Sequence, residues 1–237
     1  MWLAKSIPEP CIDLTDNREA TLNPALIKLP LFLLCLLPFA HLVQVAMTDA
    51  HDVESIEAMT RGLGGWAMNF LLLTLMLTPL RKYTGWTWLA RLRRMLGLYA
   101  FFYASAHMAS YLGLDQRFDW QAIIEDVSKR PFMIAGMLGF ALLLPLALTS
   151  NAIALRRLGG KRWQKLHRLI YLASPLAVLH YSWMVKAEIA KPSAYAALLV
   201  LLLGWRLWSR LREGRRIVAG GAPRKPVRRV IPLVVKK

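Results

Sequence analysis

RRMLGLYAFFYASAHMASYL, residues 93–112, opens on two arginines and continues with only one side chain that ionises near neutral pH, His107. A helix needs about 20 predominantly apolar residues to cross a bilayer. The stretch therefore reads as a spanning helix over about 95–112, with its cations at one end. Five further runs of similar character flank it, at about 29–47, 63–80, 132–150, 166–185 and 194–211. The predicted fold is all-α, a polytopic membrane protein built as a six-helix transmembrane bundle.

Composition agrees with that reading and excludes two others. The chain has 237 residues, 56% of them hydrophobic, yet 31 Lys and Arg stand against 14 Asp and Glu, a net charge of +17. A soluble nucleic-acid binder of such charge would carry far less apolar content. A disordered basic chain would lack the 9 Trp, 8 Phe and 7 Tyr present here. Two cysteines without a CxxC spacing argue against zinc ribbons, c-type haem attachment and dithiol redox chemistry. Cys35 falls in an apolar run and Cys11 in a polar leader, so no disulfide is expected between them.

The polar segments alternate in sign. RKYTGWTWLARLRR (81–94) and NAIALRRLGGKRWQK (151–165) each hold five cations and no acid. The segments at 48–61 and 113–131 carry most of the acids. Short Lys/Arg-rich loops stay on the cytoplasmic side, so both termini are expected in the cytoplasm. The predicted organisation is a leader at 1–28, retained because it lacks the marks of a signal peptide. A membrane domain follows at 29–211, and a basic cytoplasmic tail at 212–237. FDWQAIIEDVSKR (118–130) reads either as an amphipathic helix on the membrane surface or as a structured loop.

Ionisable residues at membrane depth face the bundle interior for a reason. His107 lies about 12 residues into the third span and His180 about 14 into the fifth, which puts them within about 3 Å of the same depth on parallel helices. Each alone reads first as an interhelical hydrogen-bonding residue. Together they read as a clamp on a flat metal cofactor. Neutral imidazole is a good axial donor to iron, no acid or thiolate accompanies them, and haem b fits this ligand set. The small residues Ala104, Ser105 and Ala106 with Gly136 and Gly139 have two readings, close helix contact or a porphyrin edge.

His167 precedes His180 by 13 residues, about 20 Å along a helix, at the predicted inner boundary. It clusters in sequence with Trp163, Gln164 and Arg168, and in depth with Arg93 and Arg94. Two readings stand for the arginines. They mark the inner interface, or the cluster holds an anionic or carbonyl-bearing cofactor such as a quinone, a flavin phosphate or a haem propionate. His41 is expected to make an interhelical hydrogen bond, and His51 to be a loop residue.

The elements RRMLGLYAFFYASAH (93–107), WQKLHRLIY (163–171) and a histidine nine residues further on resemble the ferric-reductase-like transmembrane family. Within it they resemble the haem-binding membrane subunits of methionine-sulfoxide reductase systems. The resemblance runs from about residue 30 to 212. It implies a six-helix bundle with b-type haem, and His107, His167 and His180 as haem-associated metal ligands. It further implies electron passage from the respiratory quinone pool to a periplasmic molybdenum enzyme that repairs oxidised methionines, with catalysis in that partner. Two-haem reductases carry two histidines on each of two helices. Here the inner histidine of the third helix is replaced near Arg93 or Arg94, which favours the methionine-sulfoxide branch. The family has a link to FMN, for which no motif stands in this sequence. No nicotinamide or flavin domain is expected after the sixth helix. A cytochrome b with another acceptor and a transporter with proton-relaying histidines are the alternative readings.

Overall fold

The computed structural model describes residues 24–48, 53–185 and 189–218. His51, Cys11 and most of the leader and tail lie outside the described residues. All regular structure among the described residues is helical. The elements are α1 (Pro24–Thr48), α2 (Val53–Thr84), α3 (Leu89–Ser110), α4 (Trp120–Lys129), α5 (Pro131–Leu148), α6 (Ala152–Leu166), α7 (Ile170–Met184) and α8 (Ala190–Val218). A π-helical turn at Tyr111–Asp115 follows α3, and a 3₁₀ turn at His167–Leu169 leads into α7.

Four helices are long and apolar enough to cross a membrane: Leu29–Thr48, Glu54–Thr84, Pro131–Leu148 and Ala190–Glu213. The other two predicted spans are α3 and α7, and they do not stand on length and apolarity alone. α3 carries Arg91, Arg93 and Arg94 in its first two turns. α7 has 15 residues, about 22 Å of α-helix, and the 3₁₀ turn ahead of it adds about 6 Å. Both are packed on apolar neighbours, α3 on α2 and α7 on α5.

Segments expected as loops are more helical than the hydropathy pattern indicates. α2 begins at Val53, inside the acidic stretch, with Glu54 in its first turn and Arg81 and Lys82 in its last, complementing the helix dipole. Most of the second basic loop is α6, capped by Asn151 Oδ1, which accepts from the Ala154 N–H at 2.6 Å. Gly159, at φ +70°, breaks α6 in the middle. The 118–130 segment contains a true helix, α4, capped by Asp119, with Ile123 buried and Trp120 and Ile124 exposed.

The core sits where α1, α2 and α3 meet, around Phe70, Leu75, Tyr99 and Tyr103, and continues into α7 and α8. Tyr103 is fully buried. Its hydroxyl accepts from the Phe39 N–H at 3.0 Å and donates to the Cys35 carbonyl at 2.8 Å. It thus bridges a break in the α1 ladder beside Pro38, where a helix kinks most readily. Cys35 is buried here as a free thiol. His41 does not point inward as expected but lies exposed on α1, because the core-facing side of that helix is taken by Cys35 and its apolar neighbours.

Candidate functional site

α3 and α7 bring His107 and His180 together edge to face, with ring centres 6.2 Å apart and planes at 72°. Both rings are partly buried. The Nδ1–H of His107 donates to the Thr60 carbonyl of α2 at 2.8 Å. The Nδ1–H of His180 donates to the Phe132 carbonyl of α5 at 2.7 Å. A carbonyl oxygen only accepts, so Nδ1 carries the proton in each ring and Nε2 keeps its lone pair. Anchoring a histidine through its second nitrogen in this way fixes the tautomer that a metal needs.

Each ring also rests on a glycine one helical turn beyond the carbonyl that it binds. A Cβ at Gly64 would come within 3.2 Å of the His107 ring, and one at Gly136 within 2.7 Å of His180 Nδ1. Gly136 therefore seats the His180 ring, whereas Gly139 serves close helix contact, its nearest neighbours being Leu176 and the backbone of Ala173 and Ala177. A second clasp holds the α2–α3 side: Thr60 Oγ1 and Ser110 Oγ are 2.9 Å apart, and Ser110 Oγ donates to the His107 carbonyl. Sequence reasoning found both histidines but not Thr60, Phe132 or Gly64. Backbone carbonyls have no sequence signature. The only trace of Gly64 is the glycine-rich run at residues 62–65.

The predicted inner cluster also comes together. Arg93, Arg94, Trp163, Gln164, His167 and Arg168 all line one cavity of about 850 Å³. Trp163 stacks on His167 with centres 3.9 Å apart and planes at 28°. Thr149, unnoticed in the sequence, organises the pair. Its hydroxyl donates to the Pro145 carbonyl at 2.6 Å and lies 3.2 Å from His167 Nε2, while its carbonyl accepts from Trp163 Nε1 at 2.9 Å. With the hydroxyl proton committed to Pro145, Nε2–H of His167 is the donor to Thr149. His167 is thus held in the opposite tautomer to the other two histidines.

Among the described residues no group of three or more His, Cys, Asp or Glu is placed to hold a metal ion. His107 and His180 supply two imidazole nitrogen donors, with ring centres 6.2 Å apart. Two protein donors leave the rest of the coordination sphere to a cofactor, and the ligand set of two neutral imidazoles suits haem iron. The arrangement can hold a one-electron centre at one end of the bundle. At the other it offers a cationic cavity with an aromatic wall.

Residues 63–178 match the family model described as ferric reductase like transmembrane component. The chain is 53% identical over 187 residues to the protein-methionine-sulfoxide reductase heme-binding subunit MsrQ of Azospira oryzae, covering 78% of this chain and 80% of that one. It is 44% identical over 199 residues to the MsrQ of Ralstonia nicotianae, covering 83% and 92%. With the MsrQ of Rhodospirillum rubrum the identity is 47% over 196 residues, covering 83% and 93%.

Proposed function

The chain belongs to the MsrQ family of heme-binding subunits, ferric-reductase-like proteins of the membrane, and we propose that it carries electrons across the bacterial inner membrane to a periplasmic methionine-sulfoxide reductase. The observation that carries this reading is the His107–His180 pair, with ring centres 6.2 Å apart and both Nδ1 atoms anchored on backbone carbonyls.

In this reading α1, α2, α3, α5, α7 and α8 are the six spans, with both termini cytoplasmic by the charge of the connecting segments. His107 and His180 would hold a haem b in the outer half. Bound there, the haem supplies reversible one-electron chemistry. The protein's part is to hold two neutral imidazoles in fixed tautomers and to keep water from them with α2 and α5. His167 and Trp163, with Arg93, Arg94 and Arg168, form the inner site where electrons arrive from the quinone pool. His167 acts there as haem ligand or as neighbour of a quinone or FMN. The hydrogen bond from His167 Nε2 to Thr149 supports the neighbour role. Electrons leave to the molybdenum-containing subunit MsrP, which docks on the acidic outer surface and holds the catalytic site.

The test is spectroscopic. Purified protein reduced with dithionite is expected to show haem Soret and α bands, and to reoxidise when mixed with oxidised MsrP. Absence of the bands would sink the haem reading and favour proton relay by the histidines. Bands that persist with MsrP but vanish with another acceptor would assign a different redox partner.

A further inference from the structure

α2 and α8 end side by side. The apolar stretch of α2 runs to Thr84 and that of α8 to Glu213, so the last turns of both stand where hydrocarbon gives way to headgroups. Between them lies a cavity of about 330 Å³, walled by Tyr83, Trp205 and Trp208 with Lys82, Arg212 and Glu213. Apart from Lys82, none of these residues lines the inner cavity. Tryptophan and tyrosine gather at this depth in membrane chains generally, but as separate side chains turned to lipid. Here they are joined across two helices. Trp205 Nε1 donates to Tyr83 Oη at 2.7 Å, with ring centres 5.7 Å apart. Lys82 Nζ donates to Glu213 Oε1 at 2.8 Å and stands 5.6 Å from the centre of the Trp205 ring.

These contacts leave a defined set of donors. Tyr83 Oη already accepts from Trp205, so its own proton is left for an outside acceptor. The Arg212 guanidinium lies 4.2 Å from the centre of the Trp208 ring, and a guanidinium stacked on a ring keeps its N–H edges for an anion. The Ser209 hydroxyl stands on the same wall. Two cations, Lys82 and Arg212, face one acid, Glu213, which leaves one positive charge. That is the complement of one phosphodiester. Leu201 and Gly204 precede Trp205 and Trp208 by four residues each, one turn along the same face of α8. Leu201 is exposed, and a Cβ at Gly204 would meet nothing within 4 Å. An open apolar track thus runs from the cavity toward the middle of the membrane, where an acyl chain lies and a free phosphate does not reach.

We propose that this cavity binds the headgroup of an anionic phospholipid, with Arg212, Tyr83 and Ser209 holding the phosphodiester and Leu201 and Gly204 receiving an acyl chain. Basic pockets between membrane helices suit such headgroups. A zwitterionic lipid fits less well. Glu213 is committed to Lys82, so the wall has no acid for a second ammonium, and Lys82 and Arg212 already cover the Trp205 and Trp208 rings that would take one. The bound lipid adds a further tie between α2 and α8, and it does not depend on haem or on the route of the electrons.

The full chain, delipidated in a neutral detergent, is titrated with phosphatidylglycerol or phosphatidylcholine of equal chain length. Native mass spectrometry reads the first lipid bound. Wild type is expected to prefer phosphatidylglycerol by roughly tenfold. Arg212→Gln and Tyr83→Phe should each weaken that first binding by roughly tenfold, the loss of one hydrogen bond to a charged group. Tyr83→Phe changes no charge, so its effect separates a built site from general attraction to a basic chain. Arg215→Gln removes an equal charge from an exposed position outside the cavity and should stay within about twofold of wild type. Tyr83 and Arg212 are both exposed, so their variants keep the fold. Inorganic phosphate at millimolar concentration should not displace the lipid. Equal affinity for the two lipids, an unchanged Tyr83→Phe, an equal loss in Arg212→Gln and Arg215→Gln, or displacement by inorganic phosphate would each overturn the proposal, the last by assigning the cavity to a free anion.

Discussion

His107 and His180 face each other across 6.2 Å, and each rests on a glycine of the adjoining helix while its Nδ1–H binds the carbonyl four residues before that glycine. The α2–α3 and α5–α7 pairs thus repeat one device. A helix with a glycine on its inner face offers both the space for an imidazole and the acceptor that orients it. Two such devices side by side bring the two imidazoles together, each with its Nδ1–H taken by a carbonyl.

Removal of either ring should remove the outer haem. His107→Ala and His180→Ala are each expected to abolish its reduced α band in purified membranes. His41→Ala, at an exposed position on α1, should leave the spectrum unchanged. Equal loss in all three would show that fold disruption, not ligation, governs haem retention.

The glycines make a graded series. A Cβ at Gly136 meets His180 Nδ1 at 2.7 Å and one at Gly64 meets His107 at 3.2 Å, whereas Gly65 has nothing within 4 Å. Overpacking of this kind costs about 1–3 kcal/mol. Haem occupancy after purification should fall most in Gly136→Ala, less in Gly64→Ala and not at all in Gly65→Ala. Equal occupancy across the series would mean that the rings are not seated on these helices.

Thr149 should matter to the inner site alone. Thr149→Val keeps the shape but removes the acceptor of His167 Nε2–H, at a cost of about 1 kcal/mol for a partly buried donor left unpaired. Haem reduction by a quinol analogue should slow, while the spectrum of the outer haem stays as in wild type. Thr149→Ser should restore the rate. An unchanged rate in Thr149→Val would remove His167 from the path of the electrons.

Tyr103→Phe tests the α1 anchor. The hydroxyl joins α3 to α1 through Cys35 and Phe39 beside Pro38, and its loss exposes a carbonyl and an N–H to an apolar interior. A drop in stability of about 1–3 kcal/mol is expected, read as a lower melting temperature in detergent. Haem spectra at low temperature should not change.

Much of the site is legible in the sequence. The depth of His107 and His180 along two predicted helices already placed them opposite each other, because helical rise is nearly constant. Arg93, Arg94, Trp163 and Arg168 were grouped for the same reason, and they do line one cavity. His41 shows the limit of this reasoning. Depth says how far along a helix a residue lies, but not which way it faces, and its side chain turns outward. The positions of α3 and α7 show another limit. Arg91, Arg93 and Arg94 dilute one hydropathy signal, and the 3₁₀ turn at His167–Leu169 shortens the other helix, so packing against α2 and α5 decides where they belong.

The amino-acid sequence by itself determined that this is a helical membrane chain. Charge is segregated between its apolar blocks, and histidines are the conspicuous ionisable residues inside them. These properties follow from composition and linear spacing, which need no knowledge of neighbours. Only the tertiary structure decided which nitrogen of each histidine is free, because the proton is assigned by the carbonyl across the interface. It alone revealed Thr149 beneath His167 and the bond from Trp205 to Tyr83. Those relationships join residues of different helices, and their energies come from contact and burial, which a linear pattern does not encode.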